Sequence, residues 1–152
     1  MKLHSGHSLI VMIGLLIGTP VGLGTFTFYY ANGFSYLSDN PKSCINCHVM
    51  NSQFESWKKS SHRAVAVCND CHTPGGYLTK YAAKASNGFA HSWAFTTGQF
   101  KEPIEIKPHN RERVEVSCRN CHSALLESSH FSRQQLKQVT CTHCHSQVGH
   151  NK

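Results

Sequence analysis

All eight cysteines of the 152-residue chain fall into four Cys-x-x-Cys pairs, and a histidine follows each pair directly. The pairs are Cys44 and Cys47, Cys68 and Cys71, Cys118 and Cys121, and Cys141 and Cys144. The histidines that follow them are His48, His72, His122 and His145. Two thiols at this spacing can each form a thioether with one haem, and the adjacent imidazole can bind the iron. The spacing therefore predicts four covalently bound haems c.

Two other chemistries also use paired cysteines. Two Cys-x-x-Cys pairs can hold a structural zinc ion, and an even number of cysteines in an exported chain can form disulfides. Neither requires a histidine directly after every pair, whereas the haem attachment motif does. We therefore favour haem attachment at all four pairs.

An apolar segment from Leu9 to Tyr30 precedes the first motif, and no Asp, Glu, Lys or Arg occurs between Lys2 and Asp39. As a helix it would span about 33 Å, enough for a hydrocarbon core about 30 Å thick. A cleaved signal peptide is the alternative, but the run is long for one and no clear cleavage site follows it. The sequence predicts a single-pass anchor within residues 1–31, embedded in the lipid bilayer of the cytoplasmic membrane.

The side of the membrane follows from the haem chemistry more than from charge. Only Lys2 and the amino terminus are positive on the short side, which is a weak positive-inside signal. Haem c is attached outside the bacterial cytoplasm. We therefore expect a cytoplasmic amino terminus and a periplasmic haem domain at residues 32–152.

Three glycines, Gly14, Gly18 and Gly22, recur every four residues within the apolar segment. Such a stripe lets a second helix approach closely, which would allow homo-association. The alternative is that the stripe faces lipid, and the sequence leaves both interpretations open.

The fold class follows from composition and motif spacing. Much of the 39% hydrophobic content lies in the anchor, so a core of side chains alone would be marginal. We predict a mainly α multihaem cytochrome with little regular secondary structure, wrapped around its haems as two dihaem modules at about 41–73 and 115–150. Between the modules, the Ala- and Lys-rich residues 76–95 predict a helix. Residues 98–117 contain two prolines and predict an exposed loop with at most one short strand.

Further axial ligands must come from outside the motifs. Met50 is one candidate, because a thioether also binds haem iron. The histidine candidates on the periplasmic side are His62, His91, His109, His130, His143 and His150. Spacing alone does not separate any of them from an ordinary exposed histidine.

Several segments together resemble the NapC/NirT family of tetrahaem cytochromes, and within it the small membrane subunit of cytochrome c nitrite reductase. The match covers nearly the whole chain from the membrane helix onward and is poor at 98–117 and 123–139. The matching segments are CINCHVMN from Cys44, Ser61-His62, CNDCH from Cys68, Lys80–Phe95 and the last Cys-x-x-Cys-His with a histidine five residues on.

The resemblance implies a menaquinol dehydrogenase that passes electrons through four haems to a periplasmic reductase. The implied partner is the pentahaem nitrite reductase that makes ammonium. The alternative is a general quinol-oxidising hub that feeds nitrate or other periplasmic reductases. Under either function the chain itself reduces no terminal substrate.

The resemblance also implies axial ligands. Met50 would bind the first haem, which leaves His48 as a doubtful ligand. His62 would complete the fourth haem and His150 the third. The second haem, on His72, would take its sixth ligand from the partner. The remaining motif histidines bind their own haems.

A quinol site needs an apolar slot and a proton acceptor that titrates near neutral pH. Lys84 and His91 are seven residues apart on the predicted 76–95 helix and so share a face. His91 would accept a proton and Lys84 would bind the quinol oxygen, beside the apolar bulk of Phe89, Trp93 and Phe95. Some relatives have Asp at position 91, which leaves open whether His91 approaches the first haem. In the alternative interpretation both residues are solvated or contact haem propionates.

The net charge of +7 needs no nucleic acid to balance it. Four haems carry up to about eight propionate charges, and no nucleic-acid-binding motif occurs. We interpret the basic surface as haem neutralisation and docking to the periplasmic partner.

Overall fold

The computed structural model describes residues 3–129 and 132–150, and in these residues no β-strand occurs. Two compact units follow one another, Met1–Ser35 and Tyr36–Lys152. The helices are α1 (Leu3–Tyr30), α2 (Asn51–Trp57), α3 (Cys68–His72), α4 (Tyr77–Thr97), α5 (Pro108–Cys121), α6 (Ser123–Glu127), α7 (Arg133–Gln138) and α8 (Cys141–Cys144). Short 3₁₀ helices lie at Gly33–Leu37, Pro41–Asn46, His48–Met50 and Ser61–Ala64. The predicted mainly α fold is confirmed.

The first unit is dominated by α1. Its 25 residues Gly6–Tyr30 have a mean hydropathy of 2.1 and are long enough to cross a membrane. The helix therefore begins earlier than the predicted Leu9. Pro20 lies inside it, which a membrane helix tolerates. The glycine stripe faces open space, with no atom within 4 Å of an added Cβ, and helix association through it stays a prediction.

The predicted helix at 76–95 corresponds to α4. It ends at Gly98, whose φ of 67° lies in the left-handed region and whose N–H donates to the carbonyl of Ala94. Glycine adopts this conformation without a Cβ clash, and this explains why the helix stops there.

The prediction of a loop at 98–117 is wrong for its second half, since α5 begins at Pro108. Proline is tolerated in the first turn of a helix, where its missing N–H would have had no partner anyway. The prediction treated Pro108 as a helix breaker and therefore missed the start of α5. The third haem-binding motif follows at the other end of the same helix.

The second unit has almost no core of apolar side chains. Ala83 is the buried apolar residue in the described part of the chain, beside the buried polar residues Thr73, Lys84 and Glu115. The accessible surface is 12333 Å², against about 7,700 Å² for a typical globular monomer of 17.0 kDa. Part of the excess is α1, whose described side chains are exposed along its length.

Packing contacts between the short helices position the motifs. Helix α3 packs on α5, α8 packs on α5, and α2 packs on the 3₁₀ turns of the first motif. The Asn110 side chain donates to Asn87 Oδ1 at 3.3 Å and so links α5 to α4.

Candidate functional site

Three of the four Cys-x-x-Cys-His motifs share one backbone form. Helix α3 contains the whole second motif, and α8 contains both cysteines of the fourth. The third motif forms the last turn of α5, with His122 as the C-cap. A single helical turn therefore places both thiols and the following imidazole on one side of the chain, as attachment to one haem requires.

The first motif differs at its second cysteine. Cys47 is extended, with φ −94° and ψ 109°, and separates the 3₁₀ helix Pro41–Asn46 from the turn His48–Met50. The N–H of Met50 donates to the Cys47 carbonyl at 2.9 Å. His48 therefore does not continue a helical turn as the other motif histidines do. Met50, at the end of its turn, is the alternative ligand that the resemblance implies.

The attachment cysteines follow one another in space in their sequence order. The Cys44 and Cys68 side chains are close enough to interact electrostatically. Cys118 interacts electrostatically with Cys71, and Cys141 with Cys118. The four motifs therefore form one continuous series from the first to the fourth.

Two histidine pairs have the separation of axial ligands that share a metal. The rings of His62 and His122 are 6.1 Å apart between centroids, and so are those of His72 and His150. Two imidazoles on one metal, with metal–nitrogen bonds of about 2.0–2.1 Å, have ring centres about 6 Å apart. Burial and His150 also lower the pKa of His72, which favours the neutral imidazole that binds metal.

A backbone carbonyl orients His62. Its Nδ1 lies 3.1 Å from the Val148 carbonyl oxygen and 3.2 Å from the Ser61 hydroxyl. Because the carbonyl can only accept, we assign the proton to Nδ1, which leaves Nε2 for a metal.

A cavity of about 590 Å³ lies beside the fourth motif, within the usual range for small-molecule and cofactor sites. The residues that line it are Ser56, Lys59, Ser60, Ser61, Cys144, His145, Ser146, Gln147 and Val148. The cavity adjoins Cys144 and His145 of the fourth motif, and Ser60 and Ser61, just before His62 in sequence, also line it.

These contacts do not show which sixth ligand belongs to which haem. The resemblance pairs His62 with the fourth haem, and its ring lies near both the His122 ring and the fourth-motif cavity. It pairs His150 with the third haem, whereas the His150 ring faces His72. His150 is thus a candidate, beside the partner, for the His72 iron, and the assignments remain predictions.

Lys84 lies beside the first motif rather than in solvent. The residue is only 8% exposed, and its Nζ donates to the Ser38 carbonyl at 2.8 Å and to Asp39 Oδ1 at 3.0 Å. It also interacts electrostatically with Cys44. A cation is therefore held next to the first haem attachment point.

Sequence reasoning missed Asp39, which gathers the cations at this site. Its carboxylate accepts from Lys84, forms an ion pair with Lys80, and accepts from Asn69 Nδ2 at 2.7 Å. Hydrogen bonds from Lys80 and then from Lys84 lower the pKa of Asp39 to about 2. The available signal was its position as the first charged residue after the apolar segment.

Tyr36 joins α4 to the first motif. Its hydroxyl interacts electrostatically with the Cys47 and Cys44 side chains. Its ring packs on Gly88, where an added Cβ would lie 3.2 Å from Tyr36 Cε1. Gly88, between Lys84 and His91 in sequence, therefore permits this close approach.

His91 lies on α4 and is exposed to solvent. The protein atoms around it, and then the charge of Lys107, lower its pKa below the usual 6.5. His91 is therefore neutral at pH 7 and able to accept a proton. The exposed rings of Phe89 and Trp93 stack nearby on the same helix, with centroids 6.4 Å apart.

The other histidine candidates have no assigned role. His109 and His143 are exposed, and His130 lies outside the described residues.

A second missed residue, Glu115, links the last two motifs. It is 6% exposed and accepts from the Cys141 N–H at 2.8 Å and from the Thr142 N–H at 2.9 Å. The Thr142 hydroxyl donates to it at 2.6 Å. Burial alone would raise the pKa of Glu115, but these hydrogen bonds hold it below its usual value. The carboxylate thus fastens the start of α8 to α5.

Comparison with known proteins identifies relatives of this chain. Residues 5–152 match the family described as NapC/NirT cytochrome c family, N-terminal region. The cytochrome c-type protein NrfH of Wolinella succinogenes is 38% identical over 149 residues, which cover 90% of this chain and 84% of that protein. The cytochrome c nitrite reductase subunit NrfH of Nitratidesulfovibrio vulgaris is 31% identical over 141 residues, 93% of this chain and 82% of that one.

A solved structure shares the fold. In the crystal structure of the cytochrome c nitrite reductase NrfHA complex bound to the inhibitor HQNO, one chain superposes with a TM-score of 0.64 and 28% identity. The superposition covers 88% of both chains.

Proposed function

Because the chain belongs to the NapC/NirT cytochrome c family, we propose that it is the membrane-anchored, quinol-oxidising subunit of a cytochrome c nitrite reductase. The observation that carries the proposal is the buried Lys84 ammonium, held beside the first haem-attachment cysteine. The similarity to NrfH and to a chain of the NrfHA complex supports the nitrite reductase as the partner.

The chain holds four haems c, one on each motif. Their axial ligands are the three motif histidines at 72, 122 and 145 together with Met50, His62 and His150. The interrupted turn at Cys47 supports Met50 over His48, and the 6.1 Å ring separations support the histidines. Bound haem c supplies one-electron transfer, and the spatial order of the motifs supports a relay along the series.

The substrate is menaquinol, which gives up two electrons and two protons on oxidation. The positive charge of Lys84 lowers the pKa of a quinol hydroxyl bound beside it and so eases loss of the proton. His91, neutral at pH 7, accepts that proton at an exposed position from which it reaches solvent. Lys84 thus stabilises the negative charge that develops on the quinol oxygen, and His91 accepts the proton.

The anchor fixes where this happens. Helix α1 crosses the cytoplasmic membrane with its amino end in the cytoplasm, and the haem domain lies in the periplasm. Quinol dissolves in the bilayer and the nitrite reductase is periplasmic, so this topology places the chain between donor and acceptor.

The proposal is tested with the full-length, haem-loaded protein in liposomes. We expect a menaquinol analogue to reduce the wild-type haems, and His91→Gln to slow this reaction about 100-fold. In the wild type the rate falls as pH decreases through the His91 pKa, because only the neutral ring accepts a proton; the variant loses this dependence. Reduction by dithionite stays unchanged in both.

His109→Gln is the matched control, because it removes an exposed histidine outside the proposed site. No reduction of the wild type by menaquinol, or equal rates in the His91 and His109 variants, would overturn the quinol site.

The partner is tested separately. Adding purified pentahaem nitrite reductase is expected to give nitrite-dependent menaquinol oxidation. Turnover with a periplasmic nitrate reductase instead would favour the general quinol-oxidising hub.

A further inference from the structure

We propose that Asp39 is a positioning residue of the quinol site, which holds the Lys84 ammonium beside the first motif in the orientation that binds the quinol oxygen. The inference rests on the proposed function and adds a residue and a role to it.

The first support is the burial of a charge. The Lys84 side chain is 9% exposed, and an ammonium removed from water to this extent needs a counter-charge and hydrogen-bond acceptors. Asp39 supplies the charge and the Ser38 carbonyl supplies a second acceptor. These contacts use two of the three N–H donors of the ammonium and leave the third for a ligand oxygen.

The second support is that Asp39 joins three segments. It lies between the anchor and the first motif and contacts Lys80 and Lys84 on α4 and Asn69 on α3. The two lysines are four residues apart on one helix face, where like charges repel. A carboxylate between them offsets that repulsion and sets the direction of both side chains.

The third support separates positioning from proton transfer. With a pKa of about 2, Asp39 stays ionised across the physiological range and does not take the quinol proton. His91 remains the acceptor. Asp39 therefore acts on substrate only through Lys84.

The experiment compares Asp39→Asn with the wild type as haem-loaded, full-length protein in liposomes, with added pentahaem nitrite reductase and nitrite as the electron acceptor. The Asn side chain keeps the shape but not the charge. We expect HQNO to bind about tenfold more weakly and KM for the menaquinol analogue to rise about tenfold, while kcat falls by no more than about threefold. The pH profile of kcat keeps its wild-type form, because His91 is intact.

Two further variants distinguish positioning from a general role in folding. Asp39→Glu restores the charge and is expected to recover part of the HQNO affinity. Glu55→Gln removes a comparable exposed carboxylate, which pairs with Lys58 at 3.0 Å, and is expected to change neither affinity nor KM.

The possible outcomes distinguish failure of the positioning role of Asp39 from failure of the proposed quinol oxidation. Wild-type HQNO affinity and KM in Asp39→Asn, with the wild type active, would overturn the positioning role alone. An altered pH profile of kcat would show that Asp39 handles the proton, and would also overturn it. A wild type that neither binds HQNO nor accepts electrons from menaquinol would overturn both the positioning role and the proposed function.

Discussion

Asp39 and Glu115 each connect segments that are distant in sequence, but they do so in opposite surroundings. The Asp39 side chain is 46% exposed and binds mainly lysine ammonium groups on long, flexible stems. The Glu115 side chain is 8% exposed and binds backbone N–H groups and a hydroxyl that are fixed by the fold.

The difference indicates what each carboxylate is for. Loss of a buried acceptor leaves fixed donors without a partner, at a large cost in stability. Replacing the Asp39 carboxylate with an asparagine amide costs less, because the amide oxygen and the Ser38 carbonyl still accept from the Lys84 ammonium, but it changes where the cations point. Glu115 should therefore govern the stability of the haem domain, and Asp39 should govern the function of Lys84.

The largest expected effect is on Glu115. Replacement by alanine leaves the N–H groups of Cys141 and Thr142 without their acceptor and should lower the free energy of unfolding by about 3 kcal/mol. Denaturant unfolding of the haem-loaded protein measures this. Glu112→Ala, at an exposed position on the same helix, should change stability by no more than about 0.5 kcal/mol. Similar losses in the two variants would show that Glu115 is not the fastening between the motifs.

A smaller effect is expected at Thr142, whose side chain supplies one of the three donors to Glu115. Thr142→Val removes the 2.6 Å hydroxyl bond but leaves both backbone bonds, so stability should fall by about 1 kcal/mol. Thr142→Ser keeps the hydroxyl and should stay near the wild type in the same unfolding assay. A valine variant as stable as the wild type would show that the hydroxyl bond to Glu115 does not stabilise the domain.

The smallest effect on stability is expected at Asp39. Asp39→Asn should lower the free energy of unfolding by less than about 1 kcal/mol, and less at high salt. Because the folded pKa of about 2 lies below the ordinary 3.8, the charge contributes stability above about pH 4. This contribution is lost as pH falls toward 2, so wild type and variant should converge there and differ by a constant amount between pH 5 and 8. A loss as large as that of Glu115→Ala at pH 7 would remove the distinction between the two carboxylates.

The first motif shows that one local sequence pattern can adopt two backbone conformations. All four motifs have the same spacing, yet only three form a regular turn, because Cys47 is extended in the first. The Cys-x-x-Cys-His pattern predicts attachment, and the backbone at the second cysteine decides how the following residues are presented.

The sequence alone determined the features that depend on neighbouring residues. Covalent chemistry fixes the spacing of a Cys-x-x-Cys-His motif, a continuous apolar run defines α1, and an Ala- and Lys-rich stretch predicts α4. The same local rules failed at Pro108, where a proline that starts a helix was taken for one that prevents it.

Only the tertiary structure decided which distant groups meet. Lys84 and Asp39 are 45 residues apart, and Glu115 and Cys141 are 26 apart. No periodicity in the chain records such pairs, because each depends on how helices cross after folding. Burial likewise distinguishes Lys84 from the other lysines, because the cost of desolvating its charge arises only once the surrounding segments have packed against it.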